Sequence, residues 1–308
     1  MSTVSLAIDI GGSKFVVGLV DETGAIHCKR RFVWRNLTKQ AMLEDIFREG
    51  RALLQEHPSI TPAFIGASIP GLADPEKGLW VEASFSGIRD LPIAAILTEE
   101  FRLPAFIDND GQACALAERL FGAGRDAEDF LYLTVSNGIG GSMFIGGRLY
   151  GGANGTAGEF GHCTVVENGR HCKCGLNGCL EAHAAGPAIA RNYQELGGAP
   201  MPDGSQADAA EIASRARAGE DTALRVFHLE GEYLGKVIAT ACNILNPAKV
   251  ILGGGVSLAF PLFEKSLWET VSRHMYRAAN PNLQILPTPL GYDGGLLGAA
   301  AVGFARRR

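Results

Sequence analysis

The feature that most constrains this fold is a pattern that occurs twice. Residues 4–20 read VSLAIDIGGSKFVVGLV: an apolar strand, a Gly-Gly turn, then a second apolar strand. Residues 131–149 read LYLTVSNGIGGSMFIGGRL and repeat that order, with Gly140-Gly141 standing 129 residues after Gly11-Gly12. A lone Gly-Gly is weak evidence for anything beyond a turn. Two such hairpins, each opening one half of the chain, predict a duplicated α/β domain. Each hairpin carries polar residues just before its glycines, Asp9 in one and Ser136-Asn137 in the other.

The rest alternates strands and helices. Periodicity predicts a helix over 38–55, a strand over Phe64–Ile69 that stops at Pro70-Gly71, a helix over 91–101 and a strand over 105–107. Asp108-Asn109-Asp110 then caps a helix whose Ala113, Leu116, Ala117 and Leu120 fall on one face, and which ends at Gly122. Further helices are expected near 186–196, 207–217 and 221–244. A buried strand at 250–252 runs into Gly253-Gly254-Gly255, with a helix near Phe260 and a last one over 293–305. The expected domains are 1–118, completed by the terminal helix 293–308, and 119–292. With no Pro/Ser-rich linker the halves should touch, and the cleft between them is the expected ligand site.

One loop asks for a metal. Glu159-Phe-Gly-His162 is followed ten residues later by Cys172-Lys-Cys174-Gly-Leu-Asn-Gly-Cys179-Leu-Glu181. Three cysteines and a histidine at this spacing suit one tetrahedral structural zinc, and the glycines let the chain wrap closely around it. Glu159 and Glu181 are tied to the same knot, so an ion here would hold carboxylates rigid for a small-molecule site. Idle reduced cysteines in a polar loop are the plainer alternative. The other four of the seven cysteines, Cys28, Cys114, Cys163 and Cys242, read as buried thiols, which suits a reducing compartment.

Composition excludes several partners. Hydrophobic residues make up 46% and charged residues 20%, as in ordinary globular proteins, and the net charge of −5 offers no basic footprint for nucleic acid or an anionic membrane. No apolar stretch is long enough to span a bilayer. The first strand starts almost at once with Asp9 interrupting it, so no signal peptide is expected and the cytoplasm is the expected location.

Three turns suit phosphate chemistry. Gly11, Gly12, Ser13 and Lys14 offer backbone N–H groups, a hydroxyl and an ammonium to an anion, with Asp9 available to a metal ion or its waters. Ser136, Gly138, Gly140 and Gly141 form a second cradle, and Gly253, Gly254 and Gly255 could lie against a base or ribose. There is neither a Walker A loop nor a Gly-x-Gly-x-x-Gly after the first strand. Phosphoryl transfer also needs a carboxylate to take the acceptor hydroxyl's proton. Asp110, at a strand-to-helix junction, is the candidate; its plainer role is a helix N-cap.

Taken together, Asp9-x-Gly-Gly-Ser-Lys14, Asn109-Asp110, Ser136-x-Gly-x-Gly-Gly141, Gly158-Glu159-Phe-Gly-His162, Cys172-x-Cys-Gly-x-x-Gly-Cys-Leu-Glu181 and Val250-Ile-Leu-Gly-Gly-Gly255 run in one order from about residue 5 to about residue 300. In these motifs the chain resembles the ROK family (repressors, open reading frames and kinases), whose kinases belong to the actin-like, ribonuclease H-like ATPase superfamily. The resemblance implies two domains around a cleft, a zinc-knotted loop, and ATP with Mg2+ as phosphoryl donor. It implies that Asp110 is the base, that Gly71, Asn109, Glu159, His162 and Glu181 join it around the sugar, and that the glycine turns grip ATP. His162 would then use one ring nitrogen on zinc and the other toward the sugar. His171 is the rival ligand, disfavoured because it adjoins Cys172. A homodimer is also implied.

One position departs from the pattern. Many hexose-phosphorylating members carry an Asn-Leu-x-Gly run where this chain has Ala83-Ser84-Phe85-Ser86-Gly87, so Ser84 stands at the asparagine. The expected substrate is therefore a hexose or N-acylhexosamine phosphorylated at the 6-hydroxyl, with N-acetylmannosamine, N-acetylglucosamine, glucose and allose all open. The alternative is a non-catalytic, sugar-sensing regulator. Repressors of the family place a helix-turn-helix ahead of the first hairpin, and no basic helix stands out here.

Overall fold

The computed structural model describes residues 2–83 and 85–307. They form two compact units, one running up to Asp126 and resuming at Tyr292, the other spanning Ala127–Gly291.

The first unit opens with the hairpin of β1 (Val4–Ile10) and β2 (Lys14–Asp21), continued by β3 (Ile26–Val33). Helix α1 (Lys39–Glu56) is capped by the Thr38 hydroxyl and buries Met42, Ile46 and Leu53. Strand β4 (Phe64–Ile69) is buried along its whole length, as a parallel strand covered on both faces must be. Three short strands follow as a separate sheet: β5 (Leu72–Asp74), β6 (Leu79–Ala83) and β7 (Ile88–Leu91). Helix α2 (Ile93–Phe101) starts only after Pro92, so the expected helix over 91–101 loses Leu91 to β7 and Pro92 to the cap position. Strand β8 (Ala105–Asn109) then runs directly into α3 (Asp110–Leu120). The main sheet has the order β3-β2-β1-β4-β8, antiparallel in the opening hairpin and its extension, parallel from β1 to β8.

The second unit repeats that plan. Its strands are β9 (Phe130–Val135), β10 (Ile139–Ile145), β11 (Arg148–Leu149), β12 (Lys249–Gly253) and β13 (Gln284–Pro287). They lie in the order β11-β10-β9-β12-β13, again antiparallel through the hairpin and parallel beyond it. Its helices are α4 (Leu180–Ala184), α5 (Gly186–Glu195), α6 (Ala209–Arg217), the 25-residue α7 (Asp221–Leu245) and α8 (Phe260–His274). Its core gathers Leu131, Leu133, Ile189, Phe227, Leu234, Val250 and Phe263. The chain closes with α9 (Gly294–Arg306), which returns to the first unit and packs on β1, β4 and α3. Where it crosses β4 the backbones touch: a Cβ on Gly66 would stand 1.9 Å from the Ala299 carbonyl oxygen.

One placement differs from the sequence expectation. Gly140 and Gly141 are not the turn; they lie inside β10, paired with Thr134 and Leu133. The turn is Ser136-Asn137-Gly138, closed by a Ser136 N–H bond to the Gly138 carbonyl at 2.9 Å. The cysteines also differ. All seven are free thiols, but outside the knot only Cys242 is buried; Cys28 and Cys114 are half-buried and Cys163 is exposed. No described helix is long and apolar enough to cross a membrane.

Candidate functional site

The end of β8 carries the first set of residues. Asn109 caps α3, its Oδ1 accepting from the Gly111 N–H at 2.9 Å. Its Nδ2 donates to the Gly71 carbonyl at 2.6 Å, tying the cap to the Pro70-Gly71 turn that ends β4. Gly71 has φ +86°, and a Cβ there would meet the Glu82 carbonyl oxygen at 2.2 Å, so only glycine fits. Asp110 is thus the first residue of the helix and not the cap. Its Oδ1 also faces the Gly111 N–H at 2.8 Å, within the positive end of the helix dipole.

Asp110 has an acidic neighbour. Burial raises the Asp9 carboxyl to about 6, the charge of Asp110 adds to that, and the Lys14 ammonium opposes it. The Asp9 carboxyl of the first hairpin therefore feels both the Lys14 ammonium and the Asp110 carboxylate. The hairpin turn is held by a residue that no motif announced. Trp34 donates its Nε1–H to the Gly11 carbonyl at 2.8 Å and its backbone N–H to the Ser13 carbonyl at 3.3 Å, and its ring stacks on Phe15. It lies beyond β3, too far along the chain for spacing to reveal it. Ser84 lies outside the described residues.

The second unit groups the remaining candidates. One ligand atom from each of His162, Cys172, Cys174 and Cys179 lies within 4.8 Å of the others, a donor set of the kind that holds zinc. Cys174 Sγ and Cys179 Sγ are 3.6 Å apart, and Cys172 Sγ is 3.8 Å from His162 Nδ1. Burial pushes the Cys172 and Cys179 thiols up, and crowding by neighbouring thiols adds to the rise at Cys179. A cation would reverse that balance, since it binds the thiolates. His171 is not in the cluster; its Nδ1 faces the Asn177 side chain at 3.2 Å. The other nitrogen of His162, Nε2, lies 3.7 Å from Glu159.

The knot is packed onto the second hairpin. Glu181 Oε2 accepts from the Ile139 N–H at 3.0 Å, and its Oε1 lies 3.9 Å from Cys172 Sγ. Gly138 leaves room for that carboxylate: a Cβ there would stand 2.5 Å from Oε2. A Cβ on Gly161 would be 1.9 Å from the Ile139 carbonyl oxygen, and one on Gly141 would strike the Phe160 ring. The Gly253-Gly254-Gly255 turn meets the same hairpin. Gly254, at φ +81°, would place a Cβ 2.3 Å from the Val135 carbonyl oxygen, whereas Gly255 faces open space.

Two sheets of one strand order, each opened by a hairpin, and a thiol–imidazole knot braced on the second hairpin define a mixed α/β protein. The ROK family model matches residues 5–305, and the chain belongs to the ROK family. A glucokinase of Thermotoga maritima is 32% identical over 311 residues, covering 96% of this chain and 96% of its own. The crystal structure of a ROK family glucokinase from Streptomyces griseus, in complex with glucose and AMPPNP, superposes with a TM-score of 0.84 at 29% identity, covering 96% of this chain and 98% of that one. A xylose repressor of Bacillus subtilis is 32% identical over 238 residues, 77% of this chain and 60% of the repressor.

Proposed function

We propose that this chain is an ATP-dependent sugar kinase that phosphorylates a hexose or N-acylhexosamine at its 6-hydroxyl. The observation that carries this reading is the junction of β8 and α3, where Asn109 caps the helix and is tied to the Gly71 carbonyl and where the charge of Asp110 acts on the buried Asp9. In this proposal Asp110 takes the proton of the attacking sugar hydroxyl. Gly71, Ser84, Asn109, Glu159, His162 and Glu181 bind the sugar. The Gly11–Lys14 and Ser136–Gly141 segments hold the ATP phosphates, Asp9 meets the Mg2+ or its waters, and Gly253–Gly255 meets the adenosine, where the open side of Gly255 admits a ligand.

His162, Cys172, Cys174 and Cys179 would hold a structural zinc, whose role is to keep the Glu159–Glu181 segment in shape. The two sheets of like order and direction support a duplicated actin-like fold, with the two compact units as its domains. A homodimer and a cytoplasmic location complete the proposal; sedimentation of the purified protein and fractionation of cells test them.

The experiment for the central reading is a coupled ADP-release screen over glucose, mannose, allose, fructose, N-acetylglucosamine and N-acetylmannosamine. ADP release with at least one sugar is expected. Sugar binding by calorimetry without ADP release, from any of them, would replace the kinase reading with a sugar-sensing regulator, the class to which the xylose repressor belongs by name.

A further inference from the structure

Helix α9 spans the sheet face that carries the two acids at the strand ends. Strands β1, β4 and β8 run parallel with Asp9 opposite Ser68 and Ser68 opposite Asp108, so Asp9 and Asp108 project from the same face. The first turn of α9 closes on Asp9: a Cβ on Gly295 would stand 2.3 Å from its Oδ2. The last turn reaches Asp108. Arg306 Nη2 donates to Asp108 Oδ2 at 3.1 Å, and Nη1 donates to Glu76 Oε1 at 2.9 Å.

Asp108 is fully buried, whereas Glu76 is 86% exposed on the turn between β5 and β6. Asp108 also turns its other oxygen inward, where Oδ1 accepts from the Asn109 N–H at 2.9 Å. A continuous path therefore runs from the Arg306 guanidinium through Asp108 to the backbone of Asn109, the residue before Asp110.

A buried ion pair is a poor source of stability, because desolvating both charges offsets most of their attraction. What a planar guanidinium on a buried carboxylate does supply is fixed geometry. Asp108 has no freedom to turn without leaving either Arg306 or the Asn109 N–H. We infer that Arg306 is a positioning residue for Asp110: it locks Asp108, and Asp108 locks the strand-to-helix junction on which Asn109 and Asp110 sit. This inference rests on the reading of Asp110 as the base.

Four single variants and one double variant test it: Arg306→Ala, Arg306→Lys, Asp108→Asn, Asp110→Asn, and Arg306→Ala combined with Asp108→Asn, each assayed well below its own melting temperature. Misplacing a reacting group by about 1 Å can cost up to roughly a hundredfold in rate, so Arg306→Ala should lower kcat per folded molecule by about tenfold or more. The KM for ATP should stay near its parent value. Arg306→Lys should recover part of the loss, because an ammonium still pairs with Asp108. Combining Arg306→Ala with Asp108→Asn should lose no more than the worse single variant, as expected of residues on one path. A normal kcat in Arg306→Ala, whatever its melting temperature, would reduce Arg306 to a structural clamp and overturn the inference. Should Arg306→Ala fail to fold, near-normal kcat in both Arg306→Lys and Asp108→Asn would overturn it equally. Asp110→Asn separates the two claims: normal turnover there removes the base itself, while its loss alongside intact Arg306 variants removes only the positioning role.

Discussion

The two opening hairpins share a topology and differ in what completes their turns. In the first, Gly11 donates to the Lys14 carbonyl at 2.8 Å, and the turn brings its own cation, the Lys14 ammonium. In the second, Ser136 donates to the Gly138 carbonyl at 2.9 Å, one residue sooner, and the turn borrows an anion, the Glu181 carboxylate on the Ile139 N–H. Both are pinned at the same point from outside. The Gly11 carbonyl receives Trp34 Nε1–H at 2.8 Å, and the Ser136 carbonyl receives the Gly186 N–H at 2.7 Å. One backbone plan thus serves two chemistries, with the first hairpin beside the acids of β8 and α3 and the second braced by the thiol–imidazole knot.

The largest expected effect falls on the first region. With Asp110 as base, Asp110→Asn should lower kcat by about a hundredfold or more while sugar affinity changes little. Glu181→Gln, in the second region, should instead raise KM values more than it lowers kcat. Steady-state kinetics on both variants checks this, and comparable kcat losses in the two would erase the contrast.

Next comes the metal. Elemental analysis should find about one zinc per chain, and Cys174→Ser should lose it together with roughly 3 kcal/mol or more of stability in the second unit. Native-state hydrogen exchange should then show β9 and β10 opening while β1 and β2 keep their protection. Equal loss of protection in both hairpins would mean that the knot does not brace the second one selectively.

The turns themselves can be compared by adding a methyl group to each. Gly138→Ala would drive Glu181 Oε2 off the Ile139 N–H, since the Cβ would lie 2.5 Å from it, whereas the nearest atom to a Cβ on Gly12 is Phe85 Cγ at 3.9 Å. Leaving the Ile139 N–H without its carboxylate should cost about 1–3 kcal/mol, and Gly12→Ala should stay within about 0.5 kcal/mol. Denaturant titration of the two variants reads the difference directly. Similar costs would show that Glu181 moves aside freely.

Much of this architecture was legible because parallel, two-face-buried strands leave plain apolar runs; Phe64–Ile69 is such a run from end to end. Strand β3 was not, because its residues alternate half-buried and exposed and include His27, Lys29, Arg30 and Arg31. The small sheet escaped as well, since β5 is only three residues long. Gly140-Gly141 misled for a physical reason. Gly141 answers to the Phe160 ring and the Gly158 carbonyl pressing on β10, and Gly140 only to the Thr134 methyl, not to a turn. The knot residues were legible from spacing, while Trp34 and Arg306 act across long stretches of chain and leave no local signal.

The smallest effect concerns the buried acids of the two units. Asp108 in the first has Arg306 opposite it; Glu230, in the middle of α7, has no hydrogen-bond partner among the described residues on either carboxyl oxygen. Burial alone pushes the Glu230 carboxyl well above its ordinary value. An acid raised in the folded state is stabilising, relative to its charged form, below the unfolded value of about 4.3, and that stability drains away as pH rises toward the folded value. The second unit should therefore lose stability from Glu230 as pH increases above about 4.5. Burial pushes the Asp108 carboxyl up as well, but there the Arg306 guanidinium opposes the rise. Glu230→Leu, which fills similar space without an ionisable group, should melt higher than the parent at pH 8, by about 2–4 °C for each kcal/mol recovered. That gain should shrink steadily as pH falls and vanish only well below about 4.3, where Glu230 is neutral in the folded and unfolded chain alike. The comparison with Asp108→Leu should run the other way, since that change strands the Arg306 guanidinium without its buried partner and destabilises at both pH values. Scanning calorimetry of the two variants across this range decides it, and a Glu230→Leu gain that does not vary with pH would mean that the carboxyl finds water or a partner when it ionises.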